Sequence, residues 1–325
     1  MFNQINLKNI FTKIFQSKNN NFKKTTFQNS KATNKNIILM CVLSLGLICA
    51  STDSFARVNK TFIKNRSLQK ISHKVEPEIY SVVDLDTGIP IEKLNTEKVH
   101  SLASITKLMT AYVLIKNHPD LSSCNTKITK EDRGLLNNTK SRIDKNQTIS
   151  CDKLVQAMII SSDNWAAMAL SKAIPGISSD GFVELMNNQA SQWDMKSTAF
   201  KDPSGLSSEN KSTADDLMIL MTNLQDINLI NKSSTKEVVM ETKNGNSFVL
   251  KNTNRILHLG MFEALLSKTG YIRASLYNLI FVPKGGCAKQ NIGFIILGSS
   301  SSTSRANFAQ RLLNKYDCLS TSEKK

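Results

Sequence analysis

Aromatic residues make up only 6% of the 325-residue chain, and histidine occurs four times, at 73, 100, 118 and 258. No two of the six cysteines stand in C-x-x-C spacing. A metal site therefore has little to be built from, and no cofactor is expected. Acidic side chains are also scarce, 26 against 42 lysines and arginines, for a formal charge of +16. The apolar run at 37–50 is uncharged but short of the ~20 residues that cross a bilayer comfortably. With 40% hydrophobic and 21% charged residues, the chain is neither disordered, fibrous nor a polytopic membrane protein. Residues 1–56 carry seven lysines against one acid, Asp53, and 57–325 still carries 35 bases against 25 acids. That body favours anionic surroundings, whether lipid, nucleic acid or an anionic polymer, and charge alone does not choose.

Lys31 and Lys35 precede the run Ile37–Ala50, and Ser54-Phe55-Ala56 gives a small-x-small pattern after it. Residues 1–56 are read as a secretory signal peptide with a long basic n-region, cut after Ala56. An uncleaved anchor or a buried core helix is the alternative reading. Residues 57–76 are then a polar linker, 77–318 the folded domain and 319–325 a tail. The expected location is the periplasm, with attachment to the inner membrane only through an uncleaved signal. Cys124, Cys151, Cys287 and Cys318 remain after cleavage, and four cysteines allow three pairings in an oxidising space.

Strands are expected at 79–84 and 89–92 across the turn Asp86-Thr87-Gly88. Residues 104–117 read as a helix burying Leu108, Tyr112 and Ile115. Helix resumes at 152–161, breaks at Ser162-Asp163-Asn164 and continues to about 173, where Pro175-Gly176 stops it. Further helices fall at 180–193 and 213–224, the latter opened by a capping-box pattern at Ser212–Asp215. Strands follow at 263–268, 271–282 and 291–298, then a helix at 303–316 with Phe308, Leu312 and Tyr316 on one face. Strands, helices, then a hairpin and helix describe an α+β domain in which the first strand pair joins the last strands.

Ser104 and Lys107 stand three apart at the start of a helix, which puts both side chains on one face. A serine hydroxyl needs a base to take its proton, and a lysine is such a base only when burial or a second cation lowers its pKa. S-x-x-K occurs six times, starting at Ser67, Ser104, Ser150, Ser208, Ser233 and Ser322, so the motif alone selects nothing. Two further pieces single out Ser104. Ser162-Asp163-Asn164 interrupts an apolar helical run, and Lys268-Thr269-Gly270 lies in a strand-like segment. Taken singly, the first reads as a capping serine and the second as an exposed edge lysine beside a glycine bulge. S-x-x-K, S-D-N and K-T-G in that order form the set of penicillin-recognising serine enzymes.

On these motifs the chain resembles the D-alanyl-D-alanine peptidases, the low-molecular-mass penicillin-binding proteins. Val83–Gly88, Ala103–Ala111, Asp202-Pro203-Ser204-Gly205-Leu206, Ser212–Leu217 and Asn252–Arg255 carry the likeness across roughly 77–316. Ser161–Ala167 is most similar to the short endopeptidase branch, which lacks the C-terminal β domain and membrane anchor of other members. The resemblance implies a β-lactamase/DD-peptidase-like fold, an antiparallel sheet flanked by helices with a helical insertion. It implies an acyl-enzyme on Ser104, with Lys107 as base, Ser162 and Asn164 relaying a proton and orienting substrate. Lys268, Thr269 and Gly270 would bind substrate, and the N–H groups of Ser104 and Tyr271 would form the oxyanion hole. The implied partner is a peptidoglycan peptide ending in, or cross-linked through, D-alanine, with β-lactams as inhibitors. Predicted export and few aromatics speak against nucleic acid. Trp165 and Leu276 depart from the family pattern, Leu276 replacing a glycine and expected to narrow the groove. Arg255 is either a carboxylate-binding group or an ordinary surface arginine.

A serine β-lactamase shares the motifs, but class A enzymes need a carboxylate for deacylation. The nearest match, Glu184-Leu185-Met186-Asn187, falls within a predicted helix. A non-catalytic wall-binding relative is the other alternative. If helix 303–316 runs back along strand 291–298, Cys318 approaches Cys287 and leaves Cys124 with Cys151, each pair with Cα atoms closer than ~7 Å.

Overall fold

A computed structural model describes residues 76–318, apart from 119, 131, 133–138, 140, 144–146, 242–246 and 289. The signal at 1–56, the linker but for its last residue, and the tail at 319–325 lie outside the described residues.

Valine, isoleucine and phenylalanine crowd the segments that build the main sheet, as pleated surfaces buried on both faces require. Its strands are β1 (Ile79–Asp84), β2 (Ile89–Leu94), β9 (Ala264–Ile272), β10 (Leu276–Pro283) and β11 (Ile292–Ser299), in the antiparallel order β2-β1-β11-β10-β9. Ile79 pairs with Leu297 and Asp84 with Ile292, so the first strands do join the last. All eight residues of the central β11 are buried. Ile295 and Leu297 face the helical part of the molecule, whereas Phe294 and Ile296 face the C-terminal helix α8 (Ser302–Lys315) through Phe308 and Leu312.

The helical part contains α1 (Thr106–Asn117), α2 (Cys151–Ile160), α3 (Asn164–Leu170), α4 (Ser179–Gln192) and α5 (Ala214–Leu224). Each lies within a few residues of its expected position. The one-sided reading of α1 requires correction. Met109, Val113 and Leu114 are buried as fully as Leu108, while Tyr112 and Ile115 are only partly covered. A helix packed from several sides loses the amphipathic stripe that periodicity detects. The cap of α5 is also one residue later than expected: Thr213 accepts from Asp216 N, while Ser212 pairs with His100 in a short bridge of strands.

The region 225–262 holds elements the sequence reading left unassigned. They are α6 (Asn228–Lys232), the hairpin β7 (Glu237–Glu241) and β8 (Ser247–Lys251), and α7 (Arg255–His258). The hairpin buries only Met240 and Leu250, which leaves too weak an alternation to read. The expected break at Thr269-Gly270 is absent. β9 runs through Lys268, Thr269, Gly270 and Tyr271, and the turn falls at 273–275. Leu276 closes that turn at φ +53°, in the left-handed region. Glycine adopts that conformation freely, so the glycine expected at this position from the family resemblance would suit the turn better than leucine does.

Cys124 is bonded to Cys151, Cα atoms 5.4 Å apart, and Cys287 to Cys318, 3.9 Å apart, the pairing expected. The first bond closes a separation of 27 residues and ties the start of α2 to the chain before the short strand β4 (Asn125–Lys127). Replacing Cys124 and Cys151 together by serine is expected to lower stability by roughly 3 to 4 kcal/mol on loop entropy. Urea unfolding would read this as a lower midpoint, and an unchanged midpoint would count against the bond.

Candidate active site

The turn that carries Ser104 is held open by two glycines. Ala103–Ile105 forms a single 3₁₀ turn ahead of α1, and Ala103 is forced to φ +49°. A Cβ on Gly205 would stand 1.9 Å from Ala103 O, and one on Gly270 2.7 Å from Leu102 O and 3.3 Å from Ser104 N. Gly270 itself has no left-handed φ, so its role is close approach rather than a bulge. It brings edge strand β9, with Tyr271 next in line, against the turn that carries Ser104. Asn278 on β10 donates to Ser101 O and Leu102 O from the sheet side at 2.9 and 3.2 Å.

One helical turn beyond Ser104, Lys107 is completely buried. Its Nζ donates to Ser104 Oγ at 2.8 Å, to Asn164 Oδ1 at 2.6 Å and to Ser204 O. Burial drives its pKa down to about 7, against the opposing charges of Asp202 and Asp163. The carbonyl of Ser204 is placed by Asp202, whose carboxylate collects Ser204 N, Gly205 N and Ser207 N, each at 2.7 Å. The run Asp202–Leu206 thus folds around one carboxylate and presents a backbone oxygen to the lysine.

Between α2 and α3 the chain turns through Ser162, at φ +59°. Asp163, rather than a serine, caps α3, accepting from Trp165 N and Ala166 N at 2.9 and 3.0 Å. Burial holds its carboxyl above the usual range. The cap points Asn164 at Lys107 and leaves Ser162 Oγ to accept from Lys268 Nζ at 2.9 Å. Trp165 is buried beside them and donates from Nε1 to Thr139 Oγ1 at 3.0 Å.

Lys268 is as buried as Lys107, and its pKa falls well below the ordinary value through burial and the charges of Lys107 and Arg305. Thr269 Oγ1 meets Thr253 Oγ1 at 2.5 Å, which brings the Asn252–Arg255 run to the site. Ser104, Lys107, Ser162, Asn164, Lys268, Thr269, Gly270 and Tyr271 are therefore one cluster. Ser150, Ser208 and Ser233, which open other S-x-x-K matches, make no bond to it among the described residues. Beyond the site, Ser234 Oγ accepts from Ser267 N at 3.0 Å and caps the edge of β9.

Arg305 was not singled out from the sequence. It is 5% exposed, donates to Asn278 O at 3.1 Å and lies 5.8 Å from the ring centre of Tyr277, itself stacked on Tyr271. Burial lowers its pKa to about 10, so it stays cationic, and among the described residues no carboxylate pairs with it. The signal was present: Arg305 precedes Phe308 and Leu312 by three and seven residues, on the apolar stripe of α8. Arg255, by contrast, is exposed and bonds Thr303 Oγ1 at 3.3 Å. A cleft of about 740 Å³ opens at the start of β9, lined by Ser234, Leu257 and Phe262 among others, and contains none of these side chains.

The sequence profile described as D-alanyl-D-alanine carboxypeptidase, peptidase S11, matches residues 62–298. The D-alanyl-D-alanine endopeptidase of Haemophilus influenzae is 38% identical over 239 residues, covering 74% of this chain and 81% of that protein. The D-alanyl-D-alanine endopeptidase of Escherichia coli is 32% identical over 211 residues, covering 63% and 67%. Among solved structures, the Streptomyces K15 DD-transpeptidase superposes with a TM-score of 0.67 at 22% identity, over 74% of this chain and 96% of that one. Penicillin binding protein 5 from Haemophilus influenzae gives 0.65 at 24% identity, over 74% and 70%. These two likenesses establish the fold, an antiparallel sheet set against helices.

Gly270→Ala is expected to slow reaction of Ser104 with benzylpenicillin by about 100-fold, because displacing reacting atoms by about 1 Å costs that much. A rate within threefold of the parent, with unchanged circular dichroism, would refute the close-approach role. A lysine accepts a proton only in its deprotonated form, and burial holds the pKa of Lys107 at about 7. The same reaction should therefore rise with pH, about tenfold per unit below 7, and level off above it. A rate flat from pH 5 to 9 would exclude Lys107 as the base.

Proposed function

Because this chain belongs to the D-alanyl-D-alanine carboxypeptidase family of peptidases, S11, we propose that its cluster of eight residues performs the acyl transfer of a serine DD-peptidase on cell-wall peptidoglycan. The observation that carries the assignment is Lys107 Nζ, buried, 2.8 Å from Ser104 Oγ, with a pKa near neutrality. Lys107 takes the proton from Ser104 Oγ as the hydroxyl attacks the carbonyl of a D-alanyl peptide bond. The N–H groups of Ser104 and Tyr271 receive the oxyanion, at the turn against which Gly270 packs. The proton taken up by Lys107 passes through the hydroxyl of Ser162, bonded to Lys268, to the leaving amine, which departs, leaves the D-alanyl ester on Ser104 and returns Lys107 to its neutral form. Water then hydrolyses that ester with Lys107 again as base. Lys268, Thr269 and the unpaired charge of Arg305 hold a carboxylate next to the scissile bond.

Identity to two D-alanyl-D-alanine endopeptidases supports a cut in cross-linked peptides. Among the described residues, Glu184, the nearest match to a class A β-lactamase's deacylating carboxylate, is exposed on α4 and bonds none of the site residues, which counts against that reading. A non-catalytic role has no support in a site whose nucleophile and base are hydrogen-bonded. The protein is read as exported to the periplasm. The basic leader with its apolar run at 37–50 supports this, and so do two disulfides, which persist in oxidising compartments. If the leader stays uncleaved, it is the attachment to the inner membrane.

Brief exposure to benzylpenicillin is expected to give a persistent mass adduct on the purified protein and none on Ser104→Ala. Rapid consumption of the drug without an adduct would mark a β-lactamase instead. Cleavage of a purified cross-linked dimer peptide faster than release of terminal D-alanine from its monomer would bear out the endopeptidase assignment. The reverse order would make it a carboxypeptidase.

A further inference from the structure

The run Asn252-Thr253-Asn254 joins β8 to α7 and meets the site through its middle residue. Both asparagines are buried, and their side chains hold the backbone of the run in place. Asn252 Nδ2 donates to Thr235 O at 2.9 Å, and Asn252 Oδ1 accepts from Asn254 N at 2.9 Å. Asn254 Nδ2 donates to Ser267 Oγ at 3.0 Å, on the strand that carries Lys268. Between them, Thr253 N donates at 3.1 Å to the carbonyl of Ile160, the last residue of the helix that precedes Ser162. Thr253 is thus fixed to both of the elements that flank the Ser162–Lys268 contact, and its hydroxyl is left for a single bond. Thr253 Oγ1 lies 2.5 Å from Thr269 Oγ1, and among the described residues neither oxygen has another partner.

Two hydroxyls in contact carry two protons, and the bond between them uses one. With Thr269 as donor, its oxygen would turn only lone pairs toward an incoming carboxylate. With Thr253 as donor, the Thr269 proton is free for the ligand, and the bond that Thr269 accepts polarises its own O–H further. An anion drawn to Lys268 and Arg305 selects the second arrangement. We infer that Thr253 is a positioning residue, whose hydroxyl donates to Thr269 and so aims the Thr269 proton at the substrate carboxylate. This rests on the reading of Thr269 as a carboxylate-binding group in a serine DD-peptidase, and it adds a residue from outside the three motifs.

The test measures second-order acylation of the purified protein, by mass, with benzylpenicillin and with its methyl ester, which lacks the anionic carboxylate. Thr253→Val keeps the shape and removes the hydroxyl. It is expected to slow benzylpenicillin about three- to tenfold, the range of one net hydrogen bond, and to leave the ester within about twofold of the parent. Thr253→Ser, which keeps the hydroxyl, is expected to match the parent on both compounds. Thr269→Val should slow benzylpenicillin at least as much, and adding Thr253→Val to it should cost nothing more, because the effect passes through the Thr269 hydroxyl. That cycle reads the coupling even where the ester reacts slowly. An unchanged benzylpenicillin rate in Thr253→Val, an equal loss on acid and ester, or losses that add in the double variant would each overturn the inference. If the parent is acylated by neither compound, the Ser104 assignment fails first, and this reading falls with it.

Discussion

A lysine ammonium fully enclosed by protein, hydrogen-bonded to a serine hydroxyl, an asparagine oxygen and a backbone carbonyl, is the constraint around which this molecule is arranged. Lys107 has three N–H donors when charged and meets three acceptors. None is an anion, so burial dominates and the side chain becomes a base at neutral pH. Each acceptor has its own scaffold. Ser104 comes from a turn strained at Ala103, Asn164 from a helix capped by Asp163, and Ser204 from a loop wound on Asp202. Glycines at 205 and 270 let those pieces approach closely enough for one Nζ to touch all three.

The second organising feature is positive charge without a counter-ion among the described residues. Lys268 bonds a serine and a backbone oxygen, and Arg305 a backbone oxygen and an aromatic face. Removing one such charge from water is expensive, and a ligand carboxylate relieves that cost. The two cations reach the site from the two sides of one sheet. On β9, Lys268 lies opposite Ile280, which faces the helical part, while Thr269 lies opposite Leu279, which packs toward α8. An edge strand can offer both faces to one ligand in a way that a central strand cannot.

What was legible in the sequence and what was not divide along physical lines. Ser104, Lys107, Ser162 and Lys268 were readable because three motifs, each ambiguous alone, recur in one order. The sheet's closure by its first and last strands followed from the instability of an isolated pair. The supporting groups were harder to see. Asp202 acts through its own loop's amides, a contact that leaves no periodicity. Arg305 sits on an apolar stripe where a charged residue is read as surface. The continuity of β9 through Gly270 was misread because glycine in a strand suggests a bulge. Here it marks a place where another backbone comes within contact. At 225–262 the run Asn252–Arg255 was legible but the secondary structure was not, because the hairpin buries one side chain per strand.

β9 is one of the two outer strands of the main sheet, and its edge is blocked at one definite point, where Ser234 accepts from Ser267 N. From Lys268 to the end of the strand at Ile272, five residues remain unpaired by any strand among the described residues. At about 3.4 Å per residue this is roughly 17 Å of open ladder. Such an edge ordinarily invites the sheet of a neighbouring molecule, and long exposed edges are where aggregation begins. Here the opening is only a few residues long, with the β9–β10 turn at one end and a serine stopper at the other. It is long enough for a short extended peptide and gives a foreign sheet little to grip, so at this edge receptivity to a peptide and resistance to sheet-on-sheet pairing come from the same few residues.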